Sequence, residues 1–215
     1  MPPVKLLVVG SSGRTGRLLV AGALDRGHEV TAFARTPEAL GDLAPRCARV
    51  VRGDVVDRVM VAEAMPGQEA VVYTVGPAPG ESAAVTADGA LRVVRVMQKY
   101  GVRRLIVLSA TGAAADEVEA PRSFFARLFR PRSETGSIDA GDVRRMEITV
   151  RQSELDWTLV RPSRLTDGPA TGMYRAGPGH VLPDARPIAR ADVAAFVLDQ
   201  LDTDVNVQHA VALSG

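Results

Sequence analysis

Three glycines spaced three apart, Gly10, Gly13 and Gly16, with Ser12, Arg14 and Thr15 among the residues between them, form the most chemically suggestive stretch of the chain. They follow a short apolar run, Val4 to Val9, and open a helix-compatible segment that continues through Arg17, Leu18, Leu19 and Val20. Glycine at such a strand-to-helix turn adopts a positive φ and lets an anion approach the backbone with no Cβ in the way. The helix beyond offers free N–H groups and the positive end of its dipole, which suits a pyrophosphate. Gly16, one turn into the helix, allows that helix to lie close on the strand. The spacing is G-x-x-G-x-x-G, looser than the usual G-x-G-x-x-G. A bare motif of this kind is explained equally well by a steric need for glycine. Its context, after a first strand and before a second, selects dinucleotide binding.

That second strand, Glu29 to Ala34, ends at Arg35, about 20 residues on, where the residue that reads the adenosine ribose belongs. An acid there binds the 2′-hydroxyl of NAD, whereas a guanidinium clamps a 2′-phosphate by a charge-assisted fork. Arg35 therefore predicts NADP(H) rather than NAD(H), with Arg14 as a second phosphate partner. Asp54, between Gly53 and Val55, is placed to accept from an adenine amino group or to cap the next helix, a task Asp57 also suits. Ser109 ends a strand beside the expected nicotinamide position, and its hydroxyl suits positioning a carbonyl or relaying a proton. His28, His180 and His209 fall in unrelated segments, so no hydroxyl–histidine–acid triad is visible. No paired histidine or carboxylate spacing predicts a metal.

These residues need a scaffold that brings them to one place. The pattern predicts a helix over Arg14 to Asp25 stopped by Gly27, the strand ending at Ala34, and a short helix from Pro37 to Leu43 capped by Thr36. Strands follow at Cys47 to Arg52, Ala70 to Val75, Arg104 to Leu108 and Asp156 to Val160, the last running into Arg161 and Pro162. Between them lie helices from Asp57 to Met65, Ser82 to Tyr100 and Asp139 to Ser153. A glycine-proline loop (167–187), a helix from Ala191 to Leu201 and a strand over Val205 to Leu213 complete the chain. Residues 113–137 lose periodicity and carry Phe124, Phe125, Leu128 and Phe129, which predicts a mobile cover over the nicotinamide end of a cleft. Strand alternating with helix means a doubly wound, mostly parallel α/β sheet with helices on both faces. Right-handed crossovers put the strand C-terminal ends on one edge. Gly10, Arg35, Asp54, Val75, Gly76, Ser109 and Pro162 all fall there, where such sheets bind ligands.

At 215 residues the chain fits one domain able to bury a real core. Its 46% apolar and 24% charged content is that of a globular protein. No apolar run approaches the about 18 residues of a membrane span. A net charge of +1 gives no electrostatic case for nucleic acid or an anionic membrane. Cys47 stands alone, which excludes an internal disulfide and a cysteine metal cluster, and it reads as a packed small hydrophobe. The expected setting is cytoplasmic and the expected partner a small-molecule substrate, with the oligomeric state open.

The segments Val8 to Gly16, Arg35, Arg52 to Val55, Gly76, Leu108 to Thr111 and Leu155 to Pro162 carry a resemblance over nearly the whole chain. The chain resembles the atypical short-chain dehydrogenases of the NAD(P)-binding family with NmrA-like and biliverdin reductase B (flavin reductase) members. The resemblance implies NADPH along the strand-end edge and hydride transfer to a flat conjugated molecule such as a flavin, quinone or tetrapyrrole. Its cofactor-binding candidates are Gly10, Ser12, Gly13, Arg14, Thr15, Gly16, Arg35, Asp54, Val55, Val75, Gly76, Ser109 and Pro162, with Ser109 also the catalytic candidate. One departure stands out. Ordinary short-chain dehydrogenases carry Tyr-x-x-x-Lys on the helix before the sixth strand, but Asp142 to Arg151 holds neither residue. The histidine that flavin-reductase-like members place near Glu147 is absent too. Hydride alignment with protons from water fits such a site; a non-catalytic NADP(H) sensor is the alternative. A sugar-nucleotide epimerase is disfavoured by the small C-terminal portion.

Overall fold

The computed structural model describes residues 2–76, 85–109 and 140–215. In chain order these form β1 (Lys5–Val9), α1 (Arg14–Asp25), β2 (Glu29–Ala34), a 3-10 segment (Pro37–Arg46), β3 (Arg49–Arg52), α2 (Arg58–Ala64), β4 (Ala70–Tyr73), α3 (Val85–Tyr100) and β5 (Arg104–Leu108). After them come α4 (Ala140–Arg151), β6 (Asp156–Pro162), β7 (Leu165–Thr166), β8 (Arg175–Pro178), β9 (Ile188–Ala189), α5 (Arg190–Asp199) and β10 (His209–Ser214). The main sheet has eight strands in the order β3-β2-β1-β4-β5-β6-β10-β8. Every neighbouring pair is parallel except β10 with β8. This is the doubly wound α/β fold that the alternation of strands and helices predicts.

Alternation inside β1 shows why both faces are covered. Leu7 and Val9 enter a core with Tyr73, Met97 and Met146 beneath α2, α3 and α4. Leu6 and Val8 enter a second core with Leu19, Val197 and Phe196 beneath α1 and α5. A strand whose side chains point alternately up and down must be apolar at every position when helices lie on both sides. Caps fix the helix boundaries: Gly27 at φ +80° ends α1, and the Asp57 carboxylate accepts from the Val59 and Met60 amides to start α2.

Elsewhere the boundaries differ from the sequence-based expectation for local reasons. The segment after Thr36 is a 3-10 run broken at Gly41 (φ 56°, ψ −124°), with Pro45 further on, and the Thr36 hydroxyl makes no cap. β4 ends at Tyr73, although the Thr74 amide still donates to Val9 O at 2.9 Å. The expected loop over 167–187 contains β8, which pairs antiparallel with β10; β7 and β9 form a separate two-stranded sheet. The glycine and proline in Arg175–Pro178 hide a strand whose partner among the described residues, β10, lies far along the chain. The expected cover over 113–137, with Phe124, Phe125, Leu128 and Phe129, lies outside the described residues, as do the first turns predicted at 82–84 and 139.

One buried group links the fold to pH. His28, 5% exposed, accepts the Val4 amide on Nδ1 at 3.2 Å, while Nε2 has no partner among the described residues. Burial holds its pKa below the ordinary 6.5. As pH falls through 6.5, the unfolded chain takes up the proton before the folded one. The contribution to stability is therefore complete above that value and is lost as pH falls below it toward the folded pKa. Thermal unfolding of wild type should show Tm falling over this window, and His28→Gln should flatten that fall. Parallel curves for the two proteins would assign the pH dependence elsewhere.

Candidate functional site

At the C-terminal edge of the sheet, β1 lies between β2 and β4, and here the strand order reverses direction. A crevice at this point is where open α/β sheets receive ligands. Gly10 stands in it at φ +87°, and a Cβ on it would come within 2.9 Å of Thr74 Oγ1 and 3.1 Å of the Thr74 carbonyl carbon. The Gly10 and Ser11 amides both donate to Phe33 O, at 3.1 and 3.2 Å, and the buried Ser11 hydroxyl adds a third bond at 3.0 Å. The turn is thereby fastened to the end of β2. Gly13 precedes α1 with extended backbone; no side chain caps the helix and no acid stands in its first turn. The first-turn N–H groups, those of Arg14, Thr15 and Gly16, lack intrahelical acceptors and suit an outside anion. Gly16 sits so close to the turn that an added Cβ would lie 2.1 Å from Gly10 O. Ser12 is half-buried and Thr15 buried beside it.

The part of the edge where the sequence places the adenosine is built from the ends of β2 and β3. Arg35 is exposed just past β2. Its carbonyl accepts from Arg52 Nη1 at 3.2 Å, and Arg52 also pairs with Glu38. The Arg52 guanidinium therefore lies against the Arg35 main chain, a second arginine at this point of the edge. Arg52 was legible in principle, as a charge ending an edge strand parallel to β2. Asp54 Oδ1 accepts the Val56 amide at 3.1 Å, and capping of α2 falls to Asp57. The Val55 side chain is turned into the core, where a Cβ on Gly89 would meet it at 2.6 Å. Val75 is half-buried and Gly76 exposed, continuing from β4 beside the turn. Arg14 reaches across to Asp167, Nη1 to Oδ2 at 3.0 Å, with both side chains about three-fifths exposed (62% and 61%). Asp167 is shared with Arg190 at 2.5 Å.

Further along the edge, Ser109 continues the β5–β6 pairing through its amide, which donates to Val160 O at 2.8 Å. Its side chain is fully buried, and the hydroxyl donates to Glu147 Oε1 at 2.7 Å. Glu147, on α4, takes a fork from Arg161: Nε donates to Oε1 at 2.9 Å and Nη2 donates to Oε2. Arg161 Nη1 donates to Gly179 O at 2.9 Å. Sequence reasoning noted Glu147 only for the histidine missing there, and Arg161 only as the end of a strand. The signal lay in the pattern, since a charge inside the apolar run of β6 demands a buried partner. Pro162 is buried next to it, opposite Leu213. Tyr73 supplies no substitute acid: its hydroxyl donates to Thr86 O at 2.7 Å, and burial pushes its pKa far above the ordinary phenol range. Among the described residues no group of side chains is arranged to hold a metal ion, and no helix is long and apolar enough to cross a membrane.

The stretch between β7 and β9 borders this edge. Asp167 stands over Arg14 at the glycine turn, and Gly179 lies against Arg161 at the end of β6. Between them, Asp192, 2% exposed, accepts the Thr171 and Gly172 amides and the Thr171 hydroxyl at 2.8, 2.9 and 2.9 Å. A hollow of about 820 Å³ on the opposite edge, lined by Pro3, Glu69, Arg103 and Asp156 among others, lacks comparable chemistry. Arg103 and Asp156 there already form a fork at 3.0 and 2.9 Å, and Arg104 donates to the Asp156 carbonyl at 2.8 Å.

Known proteins share the family and the fold. Residues 10–204 match the family model described as NAD(P)H-binding. The uncharacterized protein YwnB of Bacillus subtilis (strain 168) is 28% identical over 210 residues, covering 93% of this chain and 92% of its own. A 3-diazoavenalumate denitrifying reductase of a Streptomyces species is 30% identical over 187 residues, which are 81% of this chain and 60% of that protein. Among solved structures, a Bacillus halodurans protein described as an NAD-dependent epimerase/dehydratase superposes with a TM-score of 0.79 at 25% identity, covering 99% of this chain and 94% of that one.

Proposed function

Because the chain belongs to the NAD(P)H-binding family, we propose that it is an NADPH-dependent oxidoreductase that reduces a flat conjugated substrate such as a flavin, quinone or tetrapyrrole. The observation that supports the reading is one edge holding both an uncapped helix N-terminus behind a glycine turn and two arginines, Arg35 exposed just past β2 and Arg52 at the end of β3 with its guanidinium on the Arg35 carbonyl. A dinucleotide with a 2′-phosphate matches both in charge. The Streptomyces relative is a reductase by name, which supports hydride transfer over a purely structural role.

In this reading the turn amides and α1 hold the pyrophosphate, and Arg35, with Arg52 beside it, holds the 2′-phosphate. Arg14 gives up its exposed pair with Asp167, worth about 0–1 kcal/mol, to join the phosphates. Asp54 lies at the adenine, and Val55, Val75, Gly76 and Pro162 shape the groove through backbone and packing. Bound NADPH supplies the hydride. Ser109 stands at the nicotinamide end and orients what lies there. The helix α4 reads AGDVRRMEITVR, so no tyrosine–lysine pair delivers a proton from it, and that same feature favours the second reading, a non-catalytic NADP(H) sensor.

NADPH oxidation measured with FMN and with a simple quinone separates the two. Turnover supports the reductase; tight NADPH binding with no turnover supports the sensor; absence of NADPH binding defeats both. In the reductase, Ser109→Ala should lower kcat/KM about tenfold, the worth of one orienting hydrogen bond. A loss beyond about a thousandfold would make Ser109 the proton donor.

A further inference from the structure

We infer that Glu147 and Arg161 are a positioning pair for the substrate end of the cleft, fixing Ser109 on its floor and Gly179 on its rim; the inference rests on the reading of this edge as the cofactor and substrate site. Among the described residues, three donors converge on the Glu147 carboxylate: the Ser109 hydroxyl and two arms of Arg161. A carboxylate so placed accepts and does not donate. The Ser109 proton is therefore committed to Glu147, and giving it to a substrate oxygen would break a charge-assisted bond in a buried site. Ser109 is held toward its neighbours as an acceptor, and protons for the reduced product come from solvent.

The other arm of Arg161 holds the Gly179 carbonyl at 2.9 Å, at a residue whose φ of +116° few other residue types adopt. One guanidinium, 3% exposed, thus joins α4, the end of β6 and the stretch that follows β8. A buried ion pair is a poor way to gain stability, because desolvating two charges offsets most of their attraction and apolar replacements often fold as well. Its value lies in geometry. A bidentate fork fixes both the direction and the distance of its partners, and here the partners are the two sides of the proposed cleft.

Two variants separate positioning from simple packing. Arg161→Lys keeps a charge for Glu147 but loses the planar fork that reaches both partners. Glu147→Met/Arg161→Met removes both charges, so that neither is left buried and unpaired. Amide hydrogen exchange over residues 177–181 is read in both, with NADPH affinity by fluorescence and, where wild type turns over, kcat and KM for FMN and the quinone. The expected result is exchange in this stretch faster by about tenfold in each folded variant, while strand β4 keeps its protection. KM for the substrate should rise about tenfold, with kcat changed less than about threefold and NADPH affinity less than about twofold. Wild-type exchange and KM in the double variant would reduce the pair to core packing. A kcat loss beyond about a thousandfold at unchanged KM would make Glu147 a proton-transfer group instead. Failure of wild type to bind NADPH would defeat the cofactor reading alone, since the exchange result decides the positioning role independently.

Discussion

Gly16→Ala should abolish tight NADPH binding, lowering affinity by at least about a hundredfold, and should destabilise the fold by about 3 kcal/mol, the upper end of the usual overpacking cost. The added methyl would lie 2.1 Å from Gly10 O, 2.9 Å from Ser11 Cα and 3.0 Å from Gly10 C. All three are backbone atoms, so no side-chain rotamer relieves the clash. Either α1 rises off β1 or the turn moves. The turn is held by Phe33 O through three donors and α1 by close packing on α5, with a Cβ on Gly22 already 2.9 Å from Leu198 Cδ1. Whichever yields, the first-turn amides of α1 leave the positions that a pyrophosphate needs. Thermal unfolding and an NADPH titration check the two halves together. A Gly16→Ala protein with wild-type Tm and affinity would mean that the turn is neither tight nor used.

Arg35→Asp should weaken NADPH by about 10–100-fold, the range expected when a charge-assisted bond to the 2′-phosphate is replaced by repulsion. NADH, which has no phosphate there, should bind equally well or better through its ribose hydroxyls. Arg52 sits close enough to retain part of the phosphate, since its Nη1 already reaches the Arg35 carbonyl. Arg35→Asp/Arg52→Ala should therefore exceed the single variant in its shift toward NADH. Equal affinities of wild type for NADPH and NADH, or an unchanged ratio in the single variant, would remove Arg35 from the site.

Much of this was legible in the sequence because the fold announces itself locally. β1 is apolar at each inward position on both faces, Gly27 and Asp57 mark helix ends by their own backbone and side-chain chemistry, and the glycine spacing places the turn. Strands of that kind need no long-range information to be recognised. What the sequence hid depends on contacts between distant segments. β8 contains glycine and proline and exists because β10 pairs with it. The 3-10 run after Thr36 reflects a backbone reversal at Gly41 that a helical pattern conceals. In the proposed site, Gly16 and Arg35 were readable from spacing relative to strand ends. The Ser109–Glu147–Arg161 cluster was not, because its members come from β5, α4 and β6 and meet only when those elements pack. Asp167, facing Arg14 from 153 residues away, was hidden for the same reason.

The most direct test of the account is a backbone amide chemical-shift titration with NADPH, which reports where the dinucleotide lies without assuming any activity. The largest changes are expected at Gly13, Arg14, Thr15 and Gly16, with further changes at Arg35, Gly76 and Ser109, in one contiguous path across the strand C-terminal edge. Changes confined to Val4, Ala70, Arg103 and Asp156, around the hollow on the opposite edge, would contradict it.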